Sequence, residues 1–140
     1  MKKYLPLLPI LALAACGGMS QITPDMEIAT ENRLPDIDPR GGQLCIFRAS
    51  NFIGGGASCE INANNEYIGR LPNSSFFCIN LMPDEYTLTG RCFGGARFGA
   101  ETIIRQGQRR FMELQVASTG VQLISHTRET ALGGLYDAMK

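Results

Sequence analysis

From Gln43 to His126 the chain is cut into short runs of β-branched, aromatic and alternating residues, with Gly, Asn, Pro or Asp between them at intervals of about ten residues. That punctuation leaves room for strands and little for helices. It predicts strands at 43–49, 57–63, 66–71, 75–81, 85–92, 98–105, 109–117 and 121–126, most neighbours antiparallel. The expected fold class is all-β, a small antiparallel β-sandwich. Asn64-Asn65 tolerates positive φ in a tight hairpin, Pro83-Asp84 presets a turn, and Gly107 and Gly120 each break a strand pair. Alternation sets Ala57, Cys59 and Ile61 against Ser58, Glu60 and Asn62, and Tyr86, Leu88, Gly90 and Cys92 against Thr87, Thr89 and Arg91, so one face of each run should be buried. After these runs, Ala131, Leu135 and Met139 have helical spacing, with Thr127 as N-cap and Glu129 in the first turn. A short C-terminal helix is expected there, weakened by Gly133-Gly134.

Cys45, Cys59, Cys78 and Cys92 lie among these strands. In an exported chain an even number argues for two disulfides. Three pairings are possible. The equal fourteen-residue spacings from Cys45 to Cys59 and from Cys78 to Cys92 each span one expected hairpin and favour those two bridges. Loops of that size would each contribute about 3 kcal/mol on the chain-entropy account. Metal ligation or a redox pair is the lesser alternative, because the chain has no C-x-x-C and one histidine.

Export is suggested by the first sixteen residues. Lys2 and Lys3 form a positive region, Tyr4 to Leu13 a short apolar one, and Leu13-Ala14-Ala15-Cys16 follows directly. About twenty apolar residues are needed to span a bilayer, and this run is interrupted by Pro6 and Pro9. Leu13-Ala14-Ala15-Cys16-Gly17 resembles the lipobox of bacterial lipoproteins, which implies cleavage before Cys16 and lipidation of that cysteine. The alternative is an ordinary secreted protein cut after Ala15. Gly17 stands where an aspartate would signal inner-membrane retention in the enterobacterial sorting rule, so the periplasmic face of the outer membrane is favoured. The expected organisation is a signal peptide at 1–15, a lipidated cysteine and disordered linker at 16–42, and a β-sandwich domain at 43–140. The linker reading rests on Pro24, Pro35 and Pro39, few aliphatics and no hydrophobic period, with an edge strand as the alternative. As a flexible coil it would span on the order of 28 Å. Processing leaves 11 basic against 13 acidic residues, a balance that does not suggest nucleic acid as a partner.

A catalytic constellation is hard to assemble from what remains. His126 is the single histidine and reads as an exposed or packed strand-end residue. Asp84-Glu85 lies in a turn, without an apolar setting to raise one carboxyl for acid-base work. Gly54-Gly55-Gly56 and Gly94-Gly95 lack the pattern of phosphate loops and read as hairpin loops. Arg105, Arg109 and Arg110 flank Gln106-Gly107-Gln108 and would form a small basic tip, either solvated or facing an anionic partner. No catalytic residue, cofactor or metal ligand is therefore assigned.

Cys45-Ile46-Phe47-Arg48, Ile68-Gly69-Arg70-Leu71-Pro72-Asn73-Ser74-Ser75-Phe76-Phe77 and Leu81-Met82-Pro83-Asp84-Glu85-Tyr86-Thr87-Leu88 resemble domain-of-unknown-function family 2846, small bacterial lipoproteins, over about residues 43–125. The middle segment is also similar to PEGA-type surface modules. Asp84 stands where the family has glycine, and the four cysteines are not a family hallmark. The resemblance implies a prealbumin-like sandwich and brings no catalytic residues. The expected function is that of a non-catalytic envelope lipoprotein, held on the membrane by its lipid and binding another envelope protein or the cell wall. Phe52, Ile53, Phe76 and Phe77 are candidate contacts, with core packing as the other reading. A periplasmic inhibitor of a wall-degrading enzyme such as lysozyme is the first alternative, and an enzyme the second.

Overall fold

The computed structural model describes residues 22–50 and 56–140. The elements run α1 (Pro24–Glu31), β1 (Gly42–Arg48), β2 (Cys59–Ala63), β3 (Glu66–Leu71), β4 (Ser75–Leu81), β5 (Asp84–Cys92), β6 (Arg97–Ile104), β7 (Arg109–Ala117), β8 (Gly120–His126) and α2 (Arg128–Ala138). The strands form two four-stranded sheets, one ordered β4-β1-β7-β8 and the other β3-β2-β5-β6. All pairings are antiparallel except that of β1 with β7. The protein is thus an all-β sandwich with a short C-terminal helix, and each expected strand is present to within two residues at its ends.

The turns follow the local chemistry. Asn64 and Asn65 have φ of 48° and 67°, which closes the β2–β3 hairpin. Gly94 and Gly95, at φ of 100° and 94°, turn the chain between β5 and β6. Gly107 takes φ of 74° between β6 and β7.

Alternation along the strands divides the buried residues into two clusters. Leu44, Ile46, Ile61, Leu88, Met112 and Leu114 fill the space between the sheets. Cys45, Phe47 and Phe111 point the other way, to meet Leu34, Ala131, Leu132 and Leu135 beneath the helices. Every residue of β1 is therefore buried, because sheet covers one face and helix the other. Thr127 caps α2 by accepting from the Thr130 amide, as its sequence suggests.

Two expectations are corrected. The disulfides are Cys45–Cys78 and Cys59–Cys92, not Cys45–Cys59 and Cys78–Cys92. Segments β1 and β2 form no hairpin: the chain leaves one sheet after Arg48 and enters the other at Cys59. In the actual registers Cys45 lies opposite Cys78, and Cys59 opposite Cys92. Each bridge therefore ties neighbouring strands of one sheet.

The second correction concerns the linker, of which the described part belongs to the fold. Thr23 caps α1 by accepting from the Met26 amide, Pro24 occupies the first turn, where its missing N–H costs nothing, and Asp25 and Glu27 complement the helix dipole. The following strap is pinned to the sheet. The Gln43 amide donates to the carbonyls of Pro35 (2.9 Å) and Asp36 (3.3 Å). Arg109 donates to Gln43 Oε1 (2.6 Å) and the Pro35 carbonyl (2.9 Å). Glu31 pairs with Arg128 of α2 and lies 3.8 Å from Arg109.

Candidate functional site: the open face of the second sheet

The described helices pack on one sheet, and among the described residues no element covers the outward face of the other, whose side chains Glu60, Arg70, Arg91 and Arg97 are exposed. Across that face the register sets Glu60 of β2 opposite Arg70 of β3 and Arg91 of β5, and Arg91 opposite Arg97 of β6. One row thus carries three guanidinium groups and one carboxylate across four strands about 4.8 Å apart. All four side chains are exposed. Arg70 is oriented by donating its Nε–H to Ser58 Oγ at 2.6 Å. Among the described residues no ion pair involves Glu60, Arg91 or Arg97. Immediately inward of the row the Cys59–Cys92 bridge joins β2 to β5, so the strands that carry Glu60 and Arg91 cannot slide apart.

The row borders a depression of about 500 Å³ whose far wall is the turn at Phe93, Gly94 and Gly95. Phe93 is 86% exposed. One row further along the sheet, Tyr67 (63% exposed), Asn62 and Thr89 lie in register. At the opposite end Glu85 and Glu101 reverse the sign of the face. The surface is polarised, basic beside the Gly94-Gly95 turn and acidic beside the Pro83-Asp84 turn.

The residues singled out from sequence are placed differently. His126 is packed at the end of β8: its Nε2 is 3.3 Å from Glu113 Oε1, and its ring centroid is 5.8 Å from that of Phe47. Asp84 and Glu85 are exposed at the start of β5. Of the arginines expected at one tip, Arg105 and Arg110 are exposed, whereas Arg109 is drawn inward to Gln43 and Pro35, where burial pushes its pKa down. Phe77 packs between the sheets and Phe76 beneath the helices, so both serve the core. Cys16, Phe52, Ile53, Gly54 and Gly55 lie outside the described residues. Sequence reasoning passed over Arg70, Arg91, Arg97 and Phe93. The parity of Glu60 and Arg91 against Cys59 and Cys92 was a readable signal that they face outward, but no local pattern says which strands stand side by side.

Fold and face together define a class: a disulfide-tied two-sheet sandwich with one side sheathed by helices and the other open. No family model matches the chain, and no curated protein matches it. Among solved structures, the chain is similar to a protein from Eubacterium rectale, at 14% identity and a TM-score of 0.41, over 61% of this chain and 88% of that one. It is also similar to a candidate cell adhesion protein from Bacteroides ovatus, at 10% identity and a TM-score of 0.40, over 63% of this chain and 44% of that one.

Proposed function

We propose that this protein is a non-catalytic bacterial envelope lipoprotein, anchored by lipid on Cys16, that presents its sandwich to another envelope protein or to the cell wall. The observation that carries the reading is the order of a positive region, a short apolar run and Leu13-Ala14-Ala15-Cys16-Gly17. Lipid on that cysteine would provide the several acyl chains that stable anchoring requires. The resemblance of residues 43–125 to family 2846 belongs to the same proposal.

The fold supports a particular presentation. Ile22 already packs with the cluster beneath the helices. Five residues separate it from Cys16, and the six chain steps from Cys16 to Ile22 span at most about 20 Å. An anchored domain would sit close to the bilayer, with its helical layer on the tethered side and the open sheet on the other. The described helices include none long and apolar enough to cross a membrane.

Replacing Cys16 with Ser tests the anchor. The variant should accumulate as unprocessed precursor and lose labelling by radioactive palmitate in growing cells. Labelling that persists in the Ser variant would sink the assignment.

A further inference from the structure

The basic end of the open sheet combines three features: a register row of arginines, an exposed aromatic ring, Phe93, beside Arg91 within that row's span, and a neighbouring row of amide and hydroxyl groups. We infer that this face binds a carboxylate-bearing polysaccharide, the arginines taking its carboxylates and the exposed rings stacking on its sugars. The inference deepens the proposed envelope role and rests on it for the ligand's location, though not for its chemistry.

Each element of the site has a chemical counterpart in such a ligand. A guanidinium presents parallel N–H donors that match the two oxygens of a carboxylate, a fit an ammonium cannot reproduce. Arg91 and Arg97 stand on adjacent strands, and Arg70 lies two strands from Arg91, with Glu60 between them. The row therefore offers a paired and a separate cationic position along one line, suited to a linear polymer with repeated charge. Phe93, at 86% exposure, offers a flat apolar surface to the C–H face of a sugar ring. Asn62, Thr89 and Tyr67 supply donors and acceptors for hydroxyl groups one row away.

An acidic protein surface is the competing partner. Protein interfaces have an apolar centre ringed by polar groups. Here the middle of the face is amide and hydroxyl, which favours the saccharide. The Cys59–Cys92 bridge beneath the row holds the strands in place before any ligand arrives, so little ordering is required on binding.

The test is affinity electrophoresis of the full-length protein in detergent through gels containing polygalacturonate, neutral dextran or polyglutamate. Polygalacturonate should retard the protein and dextran should not, with retardation falling as salt is raised. The double variant Arg91→Gln/Arg97→Gln should weaken binding about tenfold or more, and Phe93→Ala should weaken it independently. Arg40→Gln, an exposed arginine in the strap, should change nothing. All four side chains are exposed, so the thermal melts of the variants should coincide with that of the parent. The inference is overturned by absence of retardation, by equal retardation of the double variant, or by polyglutamate binding as tightly as polygalacturonate. Detergent-held protein needs no anchor in this assay, so a failed Cys16 test and a failed gel test are separable results.

Discussion

Gly134 sits inside α2, where glycine costs about 1 kcal/mol relative to alanine. A Cβ at that position would come within 2.2 Å of the Phe47 ring. The helix accepts a poor helix former because a larger residue would push it off the sheet. Gly134→Ala should therefore lower stability by about 1–3 kcal/mol, against the sign of helix propensity, as read from urea unfolding. A more stable variant would mean that Phe47 has room to move. Two inward-facing glycines of the open sheet have the same logic: a Cβ on Gly69 would meet the Phe77 ring at 2.6 Å, and one on Gly90 the Phe98 ring at 2.3 Å. Arg48 shows the limit of reading a charge as surface. It is 1% exposed and donates to the carbonyls of Ala57 and Leu71, stitching the end of β1 to the other sheet. Burial pushes its pKa below the ordinary arginine value.

Both disulfides join residues 33 positions apart in sequence, and each lies within one sheet. On the chain-entropy account a loop of that length contributes roughly 4 kcal/mol. Cys59 and Cys92 are at most 4% exposed, so reductant reaches that bridge slowly while the protein is folded, whereas Cys78 leaves the Cys45–Cys78 bridge partly open to solvent. Non-reducing peptide mapping should recover Cys45 linked to Cys78 and Cys59 linked to Cys92, and a Cys45–Cys59 peptide would refute this topology. Replacing Cys45 and Cys78 together with Ala should cost about 2–5 kcal/mol in urea unfolding. Helix α1 is the element that sequence reading lost. Pro24 and the absence of an apolar stripe suggested a linker, whereas Thr23-Pro24-Asp25 is a helix start in which proline fills the first position. So short a helix is marginal alone, and its docking on α2 stabilises it.

At the scale of the whole molecule, the N-terminal strap and the two helices close one side of the sandwich through polar contacts centred on Glu31, Gln43 and Arg109. The hydrogen bond from Arg128 is the main cause that holds the Glu31 carboxyl below its ordinary value of 4.5, with the charges of Arg128 and Arg109 adding to it and burial opposing it. A folded-state pKa below the unfolded one contributes stability above the unfolded value and loses it as pH falls through the folded one. The urea midpoint should therefore decline more steeply below pH about 4.5 in the parent than in Glu31→Gln; identical profiles would remove Glu31 from the clasp. Eight strands, the tight Asn64-Asn65 turn, the Thr127 cap and the inward parity of Cys59, Ile61, Leu88 and Cys92 were legible in the sequence, because side-chain alternation and turn chemistry act over a few residues. The cysteine partners were not, since pairing depends on where the chain crosses from one sheet to the other between Arg48 and Cys59. Nor was the arginine row, which exists only because β3, β2, β5 and β6 lie in that order with their residues in register. By itself the sequence determined which segments become strands and which side of each is apolar. The tertiary structure alone decided which strands are neighbours, hence which cysteines join and which charges share a face, because that choice is made by long-range packing of the two sheets and the helices.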